Sequence, residues 1–253
     1  MKKNVIDVKN MSFCYGNFSV LEDVTFNIRE REMVGVVGPN GGGKTTLLRL
    51  LLGLLKPASG TITVLGEPPE KSSHRIGYVP QHRLFDPLFP VSVLDVVLMG
   101  RVGRSRGGLF SREDRELAAQ ALRDVDLFHK SKEAFADLSG GQRQRTLIAR
   151  ALASSAELLF FDEPTANVDS FAEQNIYNLL KKLNEKLTII VVSHDVGFVS
   201  KYVSSVICVN RLVHIHPTSE INGKSIQDIY GADLSMVRHD HRCSEKGHTW
   251  VNF

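Results

Sequence analysis

The sequence predicts an α/β fold with a mostly parallel sheet, an N-terminal antiparallel β subdomain and an inserted helical lobe. Short continuous apolar runs are typical of strands buried on both faces, and such runs occupy residues 33–37, 158–161 and 188–192. Helical patterns at residues 45–55 and 172–185 lie between them along the chain. Strands that alternate with helices imply a parallel sheet covered on both sides.

Two other regions depart from this alternation. Apolar and polar residues alternate within residues 1–28, as they do in half-buried strands, so we expect two or three antiparallel strands there. Between about residues 82 and 152 the pattern becomes mostly helical with Gly-rich links, which predicts a helical lobe inserted into the core. We therefore expect one domain over residues 1–213 and a polar, histidine-rich tail over residues 214–253.

Composition restricts the class of protein. The chain has 253 residues, 42% of them apolar and 23% charged, so it can bury a sizeable core and differs from disordered, collagen-like and disulfide-stapled chains. A net charge of +3 gives no reason to expect nucleic acid or an anionic membrane as the principal partner. The cysteines are few and widely spaced, which fits a reducing cytosol better than a disulfide framework: Cys14, Cys208 and Cys243.

Neither an export signal nor a membrane span is expected. Residues 1–13 contain polar side chains where a secretion signal has an unbroken apolar run. The longest apolar stretch, residues 47–55, contains Arg49 and is far shorter than the roughly 20 residues that cross a bilayer.

Residues 38–45, Gly-Pro-Asn-Gly-Gly-Gly-Lys-Thr, fit the pattern G-x-x-x-x-G-K-[ST] directly after a buried strand and at the start of a helix. The glycines let backbone N–H groups surround phosphate oxygens, and the helix start adds partial positive charge. Lys44 would reach the β- and γ-phosphates, and the Thr45 hydroxyl would ligate Mg²⁺. The pattern predicts a P-loop NTPase core, with these nucleotide-binding candidates: Gly38, Pro39, Asn40, Gly41, Gly42, Gly43, Lys44, Thr45 and Thr46.

A second motif supplies carboxylates. Residues 158–163, Leu-Leu-Phe-Phe-Asp-Glu, have the form of a buried strand that carries acidic residues at its C-terminal end. Asp162 is suited to the Mg²⁺ shell. Glu163 is expected to point the opposite way along an extended chain, toward an attacking water rather than the metal, which makes it the general-base candidate.

Residues 138–142, Leu-Ser-Gly-Gly-Gln, open another helix. Ser139 and Gln142 have the spacing of a capping box, so a well-made helix start is one interpretation. The two glycines, Gly140 and Gly141, leave bare N–H groups beside the cap, which a structural cap does not require. The second interpretation is a further phosphate contact at this helix start.

These motifs, in this order, resemble the ATP-binding subunits of ABC transporters from about residue 4 to residue 210. The resemblance makes residues 1–213 an ABC ATP-binding domain and implies ATP hydrolysis with Mg²⁺. It implies that Tyr15 stacks on adenine. It also implies that Gln81 contacts Mg²⁺ and water where the core joins the helical lobe, and that His194 hydrogen-bonds the γ-phosphate.

The resemblance further implies that two copies face each other head to tail, each ATP lying between one copy's phosphate loop and the other's residues 138–142. Asp169 matches the loop that follows the carboxylates, in which Val168 stands where leucine is frequent. Membrane permease subunits would dock near Gln81, and an extracytoplasmic binding protein would deliver the cargo. The expected location is the cytoplasmic face of the inner membrane, peripherally attached.

Two features concern the cargo. Residues 89–101 are similar to the corresponding stretch in ATPases of zinc, manganese and iron uptake systems, although the same apolar residues also suit a helical core. The tail holds donors that favour zinc and place it before manganese and iron, while a solvated tail or strand end explains the histidines nearly as well. The tail donors are the imidazoles of His214, His216, His239, His241 and His248 and the thiolate of Cys243.

Other classes fit less well. A DNA-repair ABC ATPase would need a long coiled coil between the two ATP motifs, and a translation-type ABC protein usually carries two cassettes. A GTPase would need an Asn-Lys-x-Asp motif, which the sequence lacks. A regulatory binding module has no reason to retain Glu163 and His194 beside the phosphate loop. An ABC importer of a non-metal cargo remains the alternative.

Overall fold

The computed structural model describes residues 3–81, 90–104, 109–165, 169–194 and 200–218. In chain order the strands and α-helices of these residues are β1 (Asn4–Tyr15), β2 (Phe18–Arg29), β3 (Met33–Val37), α1 (Lys44–Leu51), β4 (Ser59–Val64), α2 (Pro69–Ser72), β5 (Ile76–Val79), α3 (Val93–Leu98), α4 (Arg112–Asp124), α5 (Gly140–Ala153), β6 (Leu158–Asp162), α6 (Ser170–Asn184), β7 (Thr188–Val192), β8 (Ser205–Asn210) and β9 (Leu212–Pro217).

The larger sheet positions the site. Its strands lie in the order β5-β6-β7-β3-β8-β9, and all neighbouring pairs are parallel except β8 and β9. β3 ends at the phosphate loop and β6 ends at Asp162, and both strands pair with β7. Because the carboxyl ends of parallel strands meet at one edge of a sheet, this order brings two motifs together that are distant in sequence.

Two hydrophobic cores lie on opposite faces of this sheet. Along β6, Leu158 and Phe160 belong to one core, and Leu159 and Phe161 belong to the other. All four side chains are completely buried. Burial of each such side chain stabilises the fold by about 1.5–3 kcal/mol, and burial on both faces explains why the apolar run is continuous.

The antiparallel sheet has the order β2-β1-β4. Alternate residues of β1, such as Ile6 and Val8, are fully buried and belong to the core that contains Leu158 and Phe160, as the alternating pattern predicts. Within this sheet, β1 and β2 come from the N-terminal segment and β4 follows α1, so the third strand arrives later in the chain than residues 1–28.

Helices α3, α4 and α5 follow β5 and precede β6, and they pack against one another. A buried ion pair joins them. Arg101 Nε donates to Asp114 Oδ1 over 2.8 Å at the start of α4, and Arg101 Nη1 donates to the carbonyl of Ala153 at the end of α5. The side chains of Arg101 and Asp114 are 7% and 8% exposed.

Two boundaries differ from the expectation. Helix α1 ends at Leu51 rather than at residue 55, because Gly53 has φ +73° and the N–H of Leu54 bonds back to the Arg49 carbonyl. The expected start of the tail, His214, lies inside β9, which is paired with β8. The rest of the division into domain and tail stays a prediction.

No helix of the described residues is long and apolar enough to cross a membrane.

Candidate functional site

The phosphate loop connects β3 to α1. At the N-cap of α1, Gly43 has φ +106°, a conformation that L side chains rarely adopt, and no side chain caps the helix. A Cβ atom at Gly38 would collide with the carbonyl oxygen of Val209 in β8. Glycine is therefore required at both ends of the loop, and the first N–H groups of α1 remain available to a ligand.

Lys44 is folded over this loop. Its Nζ donates to the carbonyls of Gly38 and Pro39 over 2.8 and 3.0 Å, and the residue is 8% exposed. Burial lowers the pKa of Lys44, while the charges of Glu163 and Asp162 act in the opposite direction. The loop thus holds its ammonium group at the centre of the site, close to both carboxylates.

The two carboxylates are separated by a backbone turn. Asp162 ends β6, whereas Glu163 has φ +47° and donates its N–H to the carbonyl of Val192 over 3.0 Å. The expectation of an extended chain at Glu163 is therefore wrong, because the backbone enters the left-handed region there. Burial raises the pKa of Asp162, and a hydroxyl 3.3 Å away, from Tyr78, opposes that rise.

Glu163 lies between two of the other candidates. Gln81 Nε2 donates to its Oε2 over 2.6 Å, and His194 Nδ1 lies 3.4 Å from its Oε1. The side chains of Glu163 and His194 are 20% and 67% exposed. Two residues that follow β5 and β7 thus converge on the carboxylate that follows β6, which is the arrangement expected where a general base is positioned.

A cavity of about 710 Å³ brings most of the predicted ATP-site residues together. Phe18, Val20 and Val192 also line it, and the sequence analysis missed them. Phe18 pairs with Tyr15 across the β1–β2 hairpin, so the strand register could have indicated it. The predicted residues that line the cavity are Tyr15, Asn40, Gly41, Gly43, Lys44, Thr45, Thr46, Gln81, Asp162, Glu163 and His194.

The predicted donors to Mg²⁺ share this cavity. Thr45, Gln81 and Asp162 offer a hydroxyl, an amide and a carboxylate, and oxygen atoms of these kinds are the hard ligands that Mg²⁺ prefers. Asp162 is a half-buried carboxylate for which a cation would offset the cost of burial. The residues present therefore fit the ion.

The start of α5 forms a separate cavity of about 380 Å³. Ser139 Oγ accepts from the Gln142 N–H over 3.4 Å, and Gln142 Oε1 accepts from the Ser139 N–H over 3.0 Å, which is the predicted capping box. Asp169 caps α6 by accepting from the Ala172 N–H over 2.8 Å. The predicted residues around this cavity are Ser139, Gly140, Gly141, Gln142 and Asp169.

The two cavities share no lining residue. The second phosphate-binding candidate, at Ser139, therefore does not complete the site around Lys44 within one chain. Of the loop residues outside these two cavities, Pro39 and Gly42 line an adjoining cavity together with Arg211.

Several predicted features lie outside the described residues. They include the tail donors beyond Thr218, which are His239, His241, Cys243 and His248, together with Val168 and part of the stretch that resembles metal-uptake ATPases. His214 and His216 lie in β9. Among the described residues, no group of three or more His, Cys, Asp and Glu side chains is placed to hold a metal ion.

Comparison with known proteins agrees with this geometry. The model of the ABC transporter family matches residues 21–166. The chain is 39% identical over 239 residues to the manganese transport system ATP-binding protein MntB of Bacillus subtilis, covering 92% of this chain and 95% of that protein. It is 38% identical over 237 residues to the zinc transport system ATP-binding protein TroB of Treponema pallidum, covering 92% and 89%.

Solved structures show the same fold. Part of the ABC transporter complex cbiONQ from Clostridium perfringens matches with a TM-score of 0.77 and 30% identity, covering 87% of this chain and 90% of that chain. A dimeric ATP-binding cassette in a post-hydrolysis state, bound to ADP and phosphate, matches with a TM-score of 0.70 and 30% identity, covering 84% and 98%. This chain therefore belongs to the ABC transporter family, as one of its ATP-hydrolysing proteins.

Proposed function

We propose that this ATPase powers uptake of a divalent transition metal through a separate membrane permease. The proposal of a metal cargo rests on the similarity, over 92% of the chain, to proteins named for manganese transport and for zinc transport. Their identities of 39% and 38% differ too little to choose between the metals. The order zinc, manganese, iron therefore stays a prediction.

In this proposal ATP occupies the cavity of about 710 Å³. Adenine stacks on Tyr15, which is 47% exposed and lines this cavity. The phosphates bind backbone N–H groups at residues 43–46, the uncapped start of α1. Lys44 then exchanges its bonds to the loop carbonyls for bonds to the β- and γ-phosphates.

Thr45, Asp162 and Gln81 would hold Mg²⁺ beside the phosphates. The ion would neutralise charge on the β- and γ-phosphate oxygens as the terminal bond breaks. Asp162 is the anionic member of this set, and its pKa is raised by burial, so it gains most from a neighbouring cation.

Glu163 acts as general base in the proposed reaction. Water attacks the γ-phosphorus, its proton passes to the Glu163 carboxylate, and the bond to ADP breaks. In the structure, Gln81 and His194 lie at the two carboxylate oxygens of Glu163. Bound water would replace Gln81 at one oxygen, and His194 would turn to the γ-phosphate.

A second copy completes the site. The start of α5 in one copy would bind the γ-phosphate held by the other copy's phosphate loop. The residues of this helix start are Ser139, Gly140, Gly141 and Gln142, with Asp169 beside them. The separate cavity at the start of α5 supports this arrangement, as does the dimeric cassette with 30% identity. The dimer is head to tail because each copy supplies a different half to each site.

The remaining partners follow from the transport role. Permease subunits would dock near Gln81, and an extracytoplasmic metal-binding protein would act through them without touching this chain. The chain would lie at the cytoplasmic face of the inner membrane as a peripheral subunit. Nucleic acid has no part in this proposal.

The test is the metal content of the native host carrying Lys44→Ala, grown under limitation for zinc, manganese or iron. Lys71→Ala, at a lysine outside the nucleotide cavity, is the matched control. A selective fall in one metal, absent from the control, would identify the cargo. Unchanged contents of all three metals would overturn the metal proposal and favour a non-metal cargo.

A further inference from the structure

A pair of histidines on the edge of the larger sheet has no part in the ATP site. His214 and His216 are alternate residues of β9, so their side chains share one face of the strand. His214 is exposed and His216 is partly exposed. Their ring centroids are 6.4 Å apart. Two imidazoles on one face, open to water, can chelate a metal ion.

The separation of the rings is close to what one ion requires. Zinc binds imidazole nitrogen at about 2.0–2.1 Å, which brings two rings on a tetrahedral ion to within about 5 Å of each other, centre to centre. The observed 6.4 Å must close by about 1 Å. Rotation of exposed side chains achieves this without moving the strand.

The strand itself is well fixed. β9 pairs with β8 along its whole length, from Asn210 opposite Leu212 to Ser205 opposite Pro217. At the hairpin turn, the N–H of Arg211 donates to the Gly42 carbonyl over 3.2 Å, so the hairpin touches the phosphate loop. A rigid strand holds both ligands in place before the ion arrives, which favours chelation.

We propose that His214 and His216 form a site for a zinc-type transition-metal ion, with water completing its coordination. The two imidazoles supply the side-chain ligands from the described residues, which hold no group of three or more candidates. The site therefore has the affinity of a two-imidazole chelate. Because imidazole ligands favour Zn²⁺ over Mn²⁺, this preference does not depend on the transported cargo.

The test titrates Zn²⁺ alone into the metal-stripped, full-length chain by calorimetry. The decisive variant carries Ile215→His with His216→Ile, which keeps the composition but places the two histidines on opposite faces of β9. We expect its zinc affinity to fall at least tenfold, since the second imidazole no longer acts at a high effective concentration. His129→Ala, at an exposed histidine of the helical region, is the control and should bind like the wild type.

The tail contains other residues that could bind zinc, so the titration includes a variant that removes them. A full-length variant with Ala at His239, His241 and His248 and Ser at Cys243 should retain the β9 site. Zinc binding that is unchanged by the exchange at 215 and 216, or abolished by the tail substitutions, would overturn the proposal. Circular dichroism establishes that each variant is folded. Transport is not measured, so this proposal and that of metal uptake fail independently.

Discussion

The starts of α1 and α5 are both Gly-rich and both predicted to bind phosphate, yet they are built in opposite ways. Gly43 caps α1 without a side-chain bond, and it and Lys44 are buried. Ser139 and Gln142 cap α5 with each other's side chains, and Ser139 and Gly140 are exposed. The first start has orphan N–H groups inside a cavity. The second start faces outward, and its capping box bonds the N–H groups of Ser139 and Gln142 but not those of Gly140 and Gly141.

This difference distinguishes the residues that a helix start requires from those that a ligand-binding site requires. The start of α1 is unfavourable for a helix alone, so its glycines and Lys44 are explained by the ligand. The capping box of α5 is sufficient for the helix, so its two glycines are left to be explained by the proposed contact with a second copy. In the proposed function, the start of α1 binds the phosphates held by its own copy, and the start of α5 binds the γ-phosphate held by the other copy.

The largest expected effect follows from removing Lys44, the cation at the start of α1. Lys44→Ala deletes the charge that the loop holds against the phosphates, and we expect ATP turnover to fall by about 10²–10³ or more, the range for losing one donor that stabilises developing charge. Steady-state hydrolysis measures it. Lys71→Ala should hydrolyse ATP like the wild type, and equal turnover in both variants would contradict the assignment of Lys44.

A smaller effect is expected at the start of α5. Ser139→Ala removes one cap and should cost about 1 kcal/mol of stability. If the α5 start also binds the partner's phosphate, turnover should fall by roughly tenfold, the value of about one charge-assisted hydrogen bond, while ATP affinity of the monomer is unchanged. Hydrolysis, ATP binding and thermal unfolding together measure this.

The matched control for that variant is another capping box. Ser111 and Asp114 cap α4 in the same way, so Ser111→Ala also loses a cap. It should lower stability and leave turnover at saturating ATP unchanged. Similar losses of turnover in Ser139→Ala and Ser111→Ala would mean that α5 needs its cap for structure alone.

The smallest effect concerns acid stability at α4. Arg101 and the Ser111 cap lower the pKa of Asp114 to about 2, below its usual 3.8. The carboxylate therefore stabilises the fold above about pH 4 and loses this contribution as the pH falls toward 2. Asp114→Asn should be less stable than the wild type at neutral pH, with a gap that narrows in acid. A gap that widens in acid would contradict this.

Local patterns in the sequence were enough to predict the strands and the helix starts. The buried strand at residues 158–161 and the Ser139 capping box form as predicted, because both depend on nearby residues. The backbone turn at Glu163 and the pairing of His214 in β9 were missed. The turn at Glu163 is bonded to β7, which is distant in sequence and is not revealed by local periodicity. β9 pairs with the adjacent strand β8, but its residues are mostly exposed, so no clear apolar alternation marks it.

The ATP site shows the same division. Lys44 and Asp162 could be predicted from the sequence because each occupies a fixed position in its own motif. The motifs did not predict that Gln81 and His194 lie at the two oxygens of Glu163, since that contact requires three strands in a particular order. Phe18 was missed because only its pairing with Tyr15 across the β1–β2 hairpin indicates it, and an aromatic residue in a strand has no distinctive signal of its own.

The most direct test of the two-copy site is the mass of Glu163→Gln in solution with ATP and Mg²⁺. The substitution keeps the size of the side chain and removes the proposed base, so turnover should fall by about 10²–10⁴ while ATP stays bound between two copies. Light scattering should show the 28.1 kDa mass doubling with ATP and not with ADP. Glu116→Gln, at an exposed surface glutamate, should keep turning over ATP. A Glu163→Gln chain that remains monomeric at saturating ATP would contradict the account.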